Sequence, residues 1–194
     1  MSILTLLPLS QNKLRLLFEI YAEKEDYLRN IERKTKINPS LLHRMLTNLI
    51  QSKIITKQKK GKEIYYSLST QDYRLWESFL EAYHRDMVLE KNKDLKVLYQ
   101  LLLANKKIFL SAEKIYLFGS QVSGNATTKS DIDLLFVGGN KAEIINWCRE
   151  ASIILGKELS PLIYSINAFQ KGLSNQEPLL TSIVNNFKDR IILK

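Results

Sequence analysis

The chain has little of what builds several common protein classes. It holds one cysteine, Cys148, in 194 residues, which excludes an intrachain disulfide and any cysteine-based zinc site. That thiol falls in EIINWCRE, on an apolar helical face, and reads as a buried side chain rather than a nucleophile. Glycine and proline number only 7 and 4, and no segment is of low complexity, so composition does not indicate disorder. No hydrophobic run approaches membrane-spanning length, and the apolar start MSILTLLPLS is short and without a basic leader. The expectation is a soluble cytoplasmic protein with no membrane partner. An apolar content of 45% allows a proper core, either in one ordinary domain or in two small ones.

Charge is spread unevenly. Residues 1–70 carry 13 Lys and Arg against 6 Asp and Glu, a balance of +7, out of a formal net charge of +9 for the chain. Such asymmetry suggests that the N-terminal third meets a polyanion. The pattern beneath the charge is more specific. Ser10 can cap a helix, and Leu14, Leu17, Phe18 and Tyr21 follow at helical spacing. Tyr27, Leu28 and Ile31 mark a second amphipathic stretch. Asn38-Pro39 reads as an N-cap followed by proline at the first helical position. The helix it opens puts Leu42, Met45, Leu46, Leu49 and Ile50 on one face, and Ser40, His43, Arg44, Thr47 and Asn48 on the other. Two β-prone runs around Lys60-Gly61 then read as a hairpin.

Three helices followed by a basic hairpin resemble the winged helix-turn-helix domain of small prokaryotic repressors, over about residues 10–70. The resemblance implies double-stranded DNA as partner, read by a homodimer, because paired half-sites demand paired readers. A helix held by its apolar face can lie in the major groove with polar side chains at base edges. Arg44 is the candidate for a guanine contact, with Ser40, His43 and Thr47 reaching bases or phosphates. Lys57, Lys59, Lys60 and Lys62 on the hairpin would lie along phosphates.

Residues 71–105 have helical periodicity and neither proline nor glycine, so a long helix or two abutting helices should join the halves. Their aromatics suit a core or a dimer seam, and the dimer contact is placed here.

Lys114–Gly138 carries the densest chemistry. A short apolar run, Ile115–Phe118, stops at Gly119-Ser120; a polar loop follows, and Asp131-Ile132-Asp133 opens a second run through Val137. Alternation along a strand points Asp131 and Asp133 the same way. Two carboxylates on one side of an otherwise apolar strand repel each other, and a hard divalent cation such as Mg²⁺ or Mn²⁺ would compensate both. Gly119-Ser120 would offer backbone N–H groups and a hydroxyl to a phosphate, and Lys129 and Ser130 complete the candidate nucleotide-binding set.

Gly119-Ser120, ten intervening residues, then Asp131-x-Asp133 resembles the signature of the polymerase-β-like nucleotidyltransferases, in particular their small minimal members. The resemblance runs from about Ile115 to the C-terminus. It implies that Asp131 and Asp133 are the catalytic, metal-holding carboxylates for a nucleoside triphosphate, that Gly119-Ser120 binds its phosphates, and that a third carboxylate on a later strand helps activate the acceptor. Two positions depart from the pattern. Gln121 and Ser123 are neutral where the family often carries arginines, and the next expected strand, Pro161–Ile166, contains no Asp or Glu. Glu158 lies just before it, and Ser160 or Tyr164 stands where the acid is expected. Binding without appreciable turnover is therefore expected.

Beyond these residues, 141–155 and 178–186 read as helices, 172–178 as a loop and 190–193 as a final strand. The expected fold is α+β: a winged helix at 1–70, a helical linker at 71–105, and a nucleotidyltransferase-like mixed sheet flanked by helices at 106–194. The expected function is a DNA-binding transcriptional regulator whose second domain binds a magnesium nucleotide. The alternative is an active nucleotidyltransferase that moves a nucleoside monophosphate onto a protein or nucleic-acid acceptor, in one form as an antitoxin modifying its toxin.

Overall fold

The computed structural model describes residues 10–70, 73–128 and 130–194. The chain divides into two compact units, one ending at His84 and the other running from Arg85 to Lys194.

In the first unit, Ser10 caps helix α1 (Gln11–Ala22) by accepting from the Lys13 N–H, and the helix buries Leu14, Leu17, Phe18 and Tyr21 on one face. A three-residue strand β1 (Glu25–Tyr27) precedes α2 (Leu28–Thr35). Asn38 caps α3 (Pro39–Gln51), with proline in its first turn. Strands β2 (Ile55–Lys60) and β3 (Glu63–Leu68) form a hairpin, and α4 (Tyr73–Lys91) begins in this unit and ends in the second. The sheet order is β1-β3-β2, all antiparallel. This order of helix, strand, two helices and hairpin is the winged helix-turn-helix architecture. Strand β1 went unseen in the sequence because three residues carry no period; it exists through its pairing with β3, Tyr27 opposite Tyr65. Buried Asp26 anchors it, accepting from the Tyr27 N–H, the Asn30 amide and the Lys34 ammonium.

In the second unit, α5 (Lys93–Ala104) and α6 (Lys106–Ser111) lead into β4 (Ala112–Phe118). The four-residue α7 (Ser120–Ser123) follows, then β5 (Ile132–Gly138), α8 (Lys141–Leu155) and β6 (Leu159–Tyr164). Helices α9 (Ile166–Ser174) and α10 (Pro178–Asn185) and strand β7 (Arg190–Ile192) complete it. The sheet order is β6-β5-β4-β7, with β5 and β6 parallel and the other pairs antiparallel. Helix α9 corrects the loop expected from residue 172: it runs through Gly172 to Ser174, because Ser165 caps its start and Phe169 packs on Tyr116 of the sheet.

Strand alternation sends the sheet's side chains to two separate cores. Ile115, Leu117, Ile132, Leu134 and Phe136 pack with residues of α5, α6 and α8. Tyr116, Leu135 and Val137 pack with Phe169 of α9 and with Leu180 and Ile183 of α10. Asp131 and Asp133 share the parity of Leu135 and Val137, so they stand on the α9–α10 side, at the end of β5 that the apolar core leaves open. No described helix is long and apolar enough to cross a membrane.

Candidate functional site

The candidate centre sits where β4 ends and β5 begins. Pairing places Ser160 of β6, Asp133 of β5, Phe118 of β4 and Arg190 of β7 in one row across the sheet, all on the same face. Asp131 is exposed and Asp133 half-buried. The Ser160 hydroxyl donates to Asp131 Oδ2 at 3.3 Å, so Ser160, not Tyr164, is the β6 residue beside the carboxylates. Glu158 is exposed just ahead of β6, and its carbonyl accepts from the Ile132 N–H at 2.9 Å. Among the described residues, no group of three or more His, Cys, Asp or Glu side chains is arranged to hold a metal.

Gly119 turns the chain from β4 into α7 at φ 80° and ψ −156°, a conformation that only glycine adopts freely. A Cβ there would lie 2.5 Å from Asp133 Oδ2. The carboxylate thus rests directly on the glycine backbone. Ser120 begins α7 and is half-buried. Ser130 is engaged in holding its own turn: its hydroxyl accepts from the Thr127 N–H, and its N–H donates to the Thr127 carbonyl. Lys129 lies outside the described residues.

Two residues that carried no positive signal in the sequence prove to belong to this neighbourhood. Gln121 is buried beneath the loop, bonded to Asn92 and to the Ser130 carbonyl. Arg190, 4% exposed, lies over the rings of Tyr116 and Phe187 and donates to the Val184 carbonyl. A lone Gln in a polar loop and a lone Arg at a strand start have no pattern that separates them from surface residues.

In the first unit, Ser40, His43, Arg44 and Thr47 of α3 are all exposed, while Leu42, Met45, Leu46 and Leu49 hold the helix by its other face. The Thr47 hydroxyl bonds back to the His43 carbonyl. On the hairpin, Lys57, Lys59 and Lys62 are exposed and make no ion pair among the described residues. Lys60 differs: its ammonium sits on the Glu25 carboxylate at 2.5 Å and over the Tyr65 ring, which neutralises it locally.

Comparison with known families bears on the second unit. Residues 100–182 match the family model of the polymerase beta nucleotidyltransferases. The matched span takes in Gly119, Asp131, Asp133 and Ser160. Among solved structures, the chain is similar to an Archaeoglobus fulgidus protein at 16% identity, covering 37% of this chain and 82% of that one, with a TM-score of 0.34. It is similar to a homodimeric winged helix-turn-helix DNA-binding domain from Mycobacterium bovis at 22% identity, 35% and 63% coverage, TM-score 0.33. It is also similar to a mutant MarR from Escherichia coli complexed with operator DNA at 16% identity, 52% and 78% coverage, TM-score 0.40. A comparison with curated proteins found no match.

The residues of the nucleotidyltransferase domain fit one hard divalent cation. Two carboxylates face the same way, one cramped against Gly119 and the other held by a hydroxyl. Held by Asp131 and Asp133, such an ion would supply positive charge to an anionic ligand. The same crowding bears on the charge state of Asp133. Burial pushes its carboxyl above the ordinary value, and the neighbouring Asp131 charge pushes it the same way. A raised carboxylate favours the protonated form in the fold, so ionised Asp133 subtracts stability. The loss is absent below the ordinary carboxylate range, grows as pH rises through it, and is complete above the raised value. Asp133→Asn should therefore raise the melting temperature of the metal-free protein at neutral pH. The gain is about 1 kcal/mol or less, because solvent screens a half-exposed group, and it should vanish at about pH 3. Thermal melts across that range check it; a gain independent of pH would mean that charge is not its cause.

Proposed function

We propose that the protein is a DNA-binding transcriptional regulator whose nucleotidyltransferase domain binds a divalent metal–nucleotide complex without efficient transfer. The observation that carries the DNA reading is the α3–hairpin surface. One helix presents Ser40, His43, Arg44 and Thr47 outward beside a hairpin whose Lys57, Lys59 and Lys62 make no ion pair among the described residues. Arg44 suits a guanine edge, and Lys57, Lys59 and Lys62 suit phosphates. Paired half-sites require paired readers, so the reading includes a two-fold dimer. Helix α4, whose Leu75 is 70% exposed, is the proposed contact.

In the second domain, Asp131 and Asp133 would hold Mg²⁺ or Mn²⁺, and Gly119 and Ser120 would lie beside the triphosphate. Ser160 supports binding over transfer. It supplies a neutral hydroxyl at the β6 position facing the carboxylates, and a hydroxyl compensates much less of the charge of a second cation than a carboxylate does.

Titration of duplex DNA at several salt concentrations tests the regulator reading. Affinity should fall steeply with salt, and replacing Lys57, Lys59 and Lys62 by Gln should lower the logarithmic salt slope by about 0.9 per lost phosphate contact. Arg44→Ala should instead cost about 1–3 kcal/mol on the preferred sequence and relax discrimination there. No binding to any duplex at low salt would sink the proposal.

A further inference from the structure

A chain of two amides, half-buried Asn92 and buried Gln121, runs from the start of α5 to the loop that carries the carboxylates. Asn92, the single residue between α4 and α5, caps α5: its Oδ1 accepts from the Asp94 and Leu95 N–H groups at 3.1 and 3.3 Å. Its Nδ2 is thereby turned to Gln121 Oε1, 3.3 Å away. Gln121, 6% exposed, then has its Nε2 free to donate to the Ser130 carbonyl at 2.9 Å. Every link points the same way. Backbone N–H groups can only donate and a carbonyl can only accept, so both amides have one orientation that satisfies the two ends. Reversing either would set donor against donor at one contact and acceptor against acceptor at another.

The far end of this chain is the peptide joining Ser130 to Asp131. The next peptide, between Asp131 and Ile132, is held through the Ile132 N–H by the Glu158 carbonyl at 2.9 Å. Asp131 is thus fixed on both sides along the backbone, while its carboxylate is fixed by Ser160. Of these holds, only the one through Gln121 depends on a buried polar side chain. A buried amide is retained at a cost unless both its ends are bonded. Here both are, across 29 positions of sequence on one side and 9 on the other.

We infer that Gln121 is the positioning residue of the Asp131–Asp133 centre, and that Asn92 sets the direction of its amide. Gln121 does not touch a ligand; it orients the peptide from which Asp131 projects. The side chain that stands where a phosphate-pairing arginine is frequent therefore works from beneath the loop rather than above it. The inference rests on reading Asp131 and Asp133 as cation ligands.

The test uses the full chain and Mn²⁺ alone, with free ion followed by electron paramagnetic resonance. Four proteins are compared: the parent, Asp131→Asn with Asp133→Asn, Gln121→Met and Asn92→Asp. Aspartate caps a helix as well as asparagine, so Asn92→Asp preserves α5 while its carboxylate accepts from Gln121 and turns that amide over. Added negative charge would by itself tighten cation binding, so a loss cannot come from charge. The parent should bind and the double Asp variant should not, and Gln121→Met and Asn92→Asp should each bind about tenfold more weakly, with native circular dichroism. Parent-like affinity in Asn92→Asp would overturn the inference while leaving the metal reading standing. A parent that does not bind Mn²⁺, or a double Asp variant that binds equally well, would overturn both. Should Gln121→Met fail to fold, Asn92→Asp decides.

Discussion

Gly119→Ala is expected to destabilise the nucleotidyltransferase unit by about 3 kcal/mol or more and to remove its metal binding. Two separate causes act at one atom. The backbone there has φ 80° and ψ −156°, which an L side chain reaches only with strain. The new methyl would also stand 2.5 Å from Asp133 Oδ2, well inside van der Waals contact. Relief through the side chain would swing Asp133 out of line with Asp131, and relief through the backbone would shift the Gly119 N–H, which donates to the Asp189 carbonyl at 3.1 Å. Either movement dismantles the centre. Denaturant unfolding read by circular dichroism, with the winged-helix unit's own transition as internal reference, measures the cost. An alanine variant within about 1 kcal/mol of the parent would show that Asp133 does not need its place against the glycine.

Ser160→Asp is expected to change sign with the metal. Ser160 pairs with Asp133 across β5–β6 and bonds to Asp131, so an aspartate there puts a third carboxylate on the same face. Without metal, three like charges at one strand end should lower the melting temperature at neutral pH, and the lost hydrogen bond to Asp131 adds about 1 kcal/mol. With Mn²⁺ present, the added charge and donor should tighten binding by about tenfold or more, since affinity for hard cations follows ligand charge. The measured signature is a crossing: Ser160→Asp melts below the parent in chelator and above it in millimolar Mn²⁺. A variant that is less stable in both conditions would mean that the β6 position does not face the cation.

Legibility of the fold followed the length and period of each element. Helix α8 could be read over its full span because 15 residues repeat an apolar face and Asn140 caps it. The same holds for α3, with Asn38-Pro39 at its start. Strand β1 and helices α6 and α7 were missed because 3, 6 and 4 residues are too few for a period to register. Helix α9 was not expected: the strand reading ran on to Ile166 and a loop was expected from Gly172, where local propensity pointed to one and packing of Phe169 overrode it.

The sequence by itself grouped Gly119, Ser120, Asp131 and Asp133 into one candidate centre, because the spacing within Gly119-Ser120 and Asp131-x-Asp133 is local. Alternation in β5 is enough to align the two carboxylates, and a glycine before a turn is enough to mark close approach. It also determined the basic, half-apolar character of α3 and its hairpin, since periodicity and charge need no partner to be read. Only the tertiary structure decided what stands around these groups. It set Ser160 rather than Tyr164 beside Asp131, paired Lys60 with Glu25 and left Lys57, Lys59 and Lys62 without an ion pair among the described residues, and buried Gln121 between Asn92 and Ser130. Each of these depends on strand register or on contacts between residues far apart in sequence, and a chain read in one dimension contains neither.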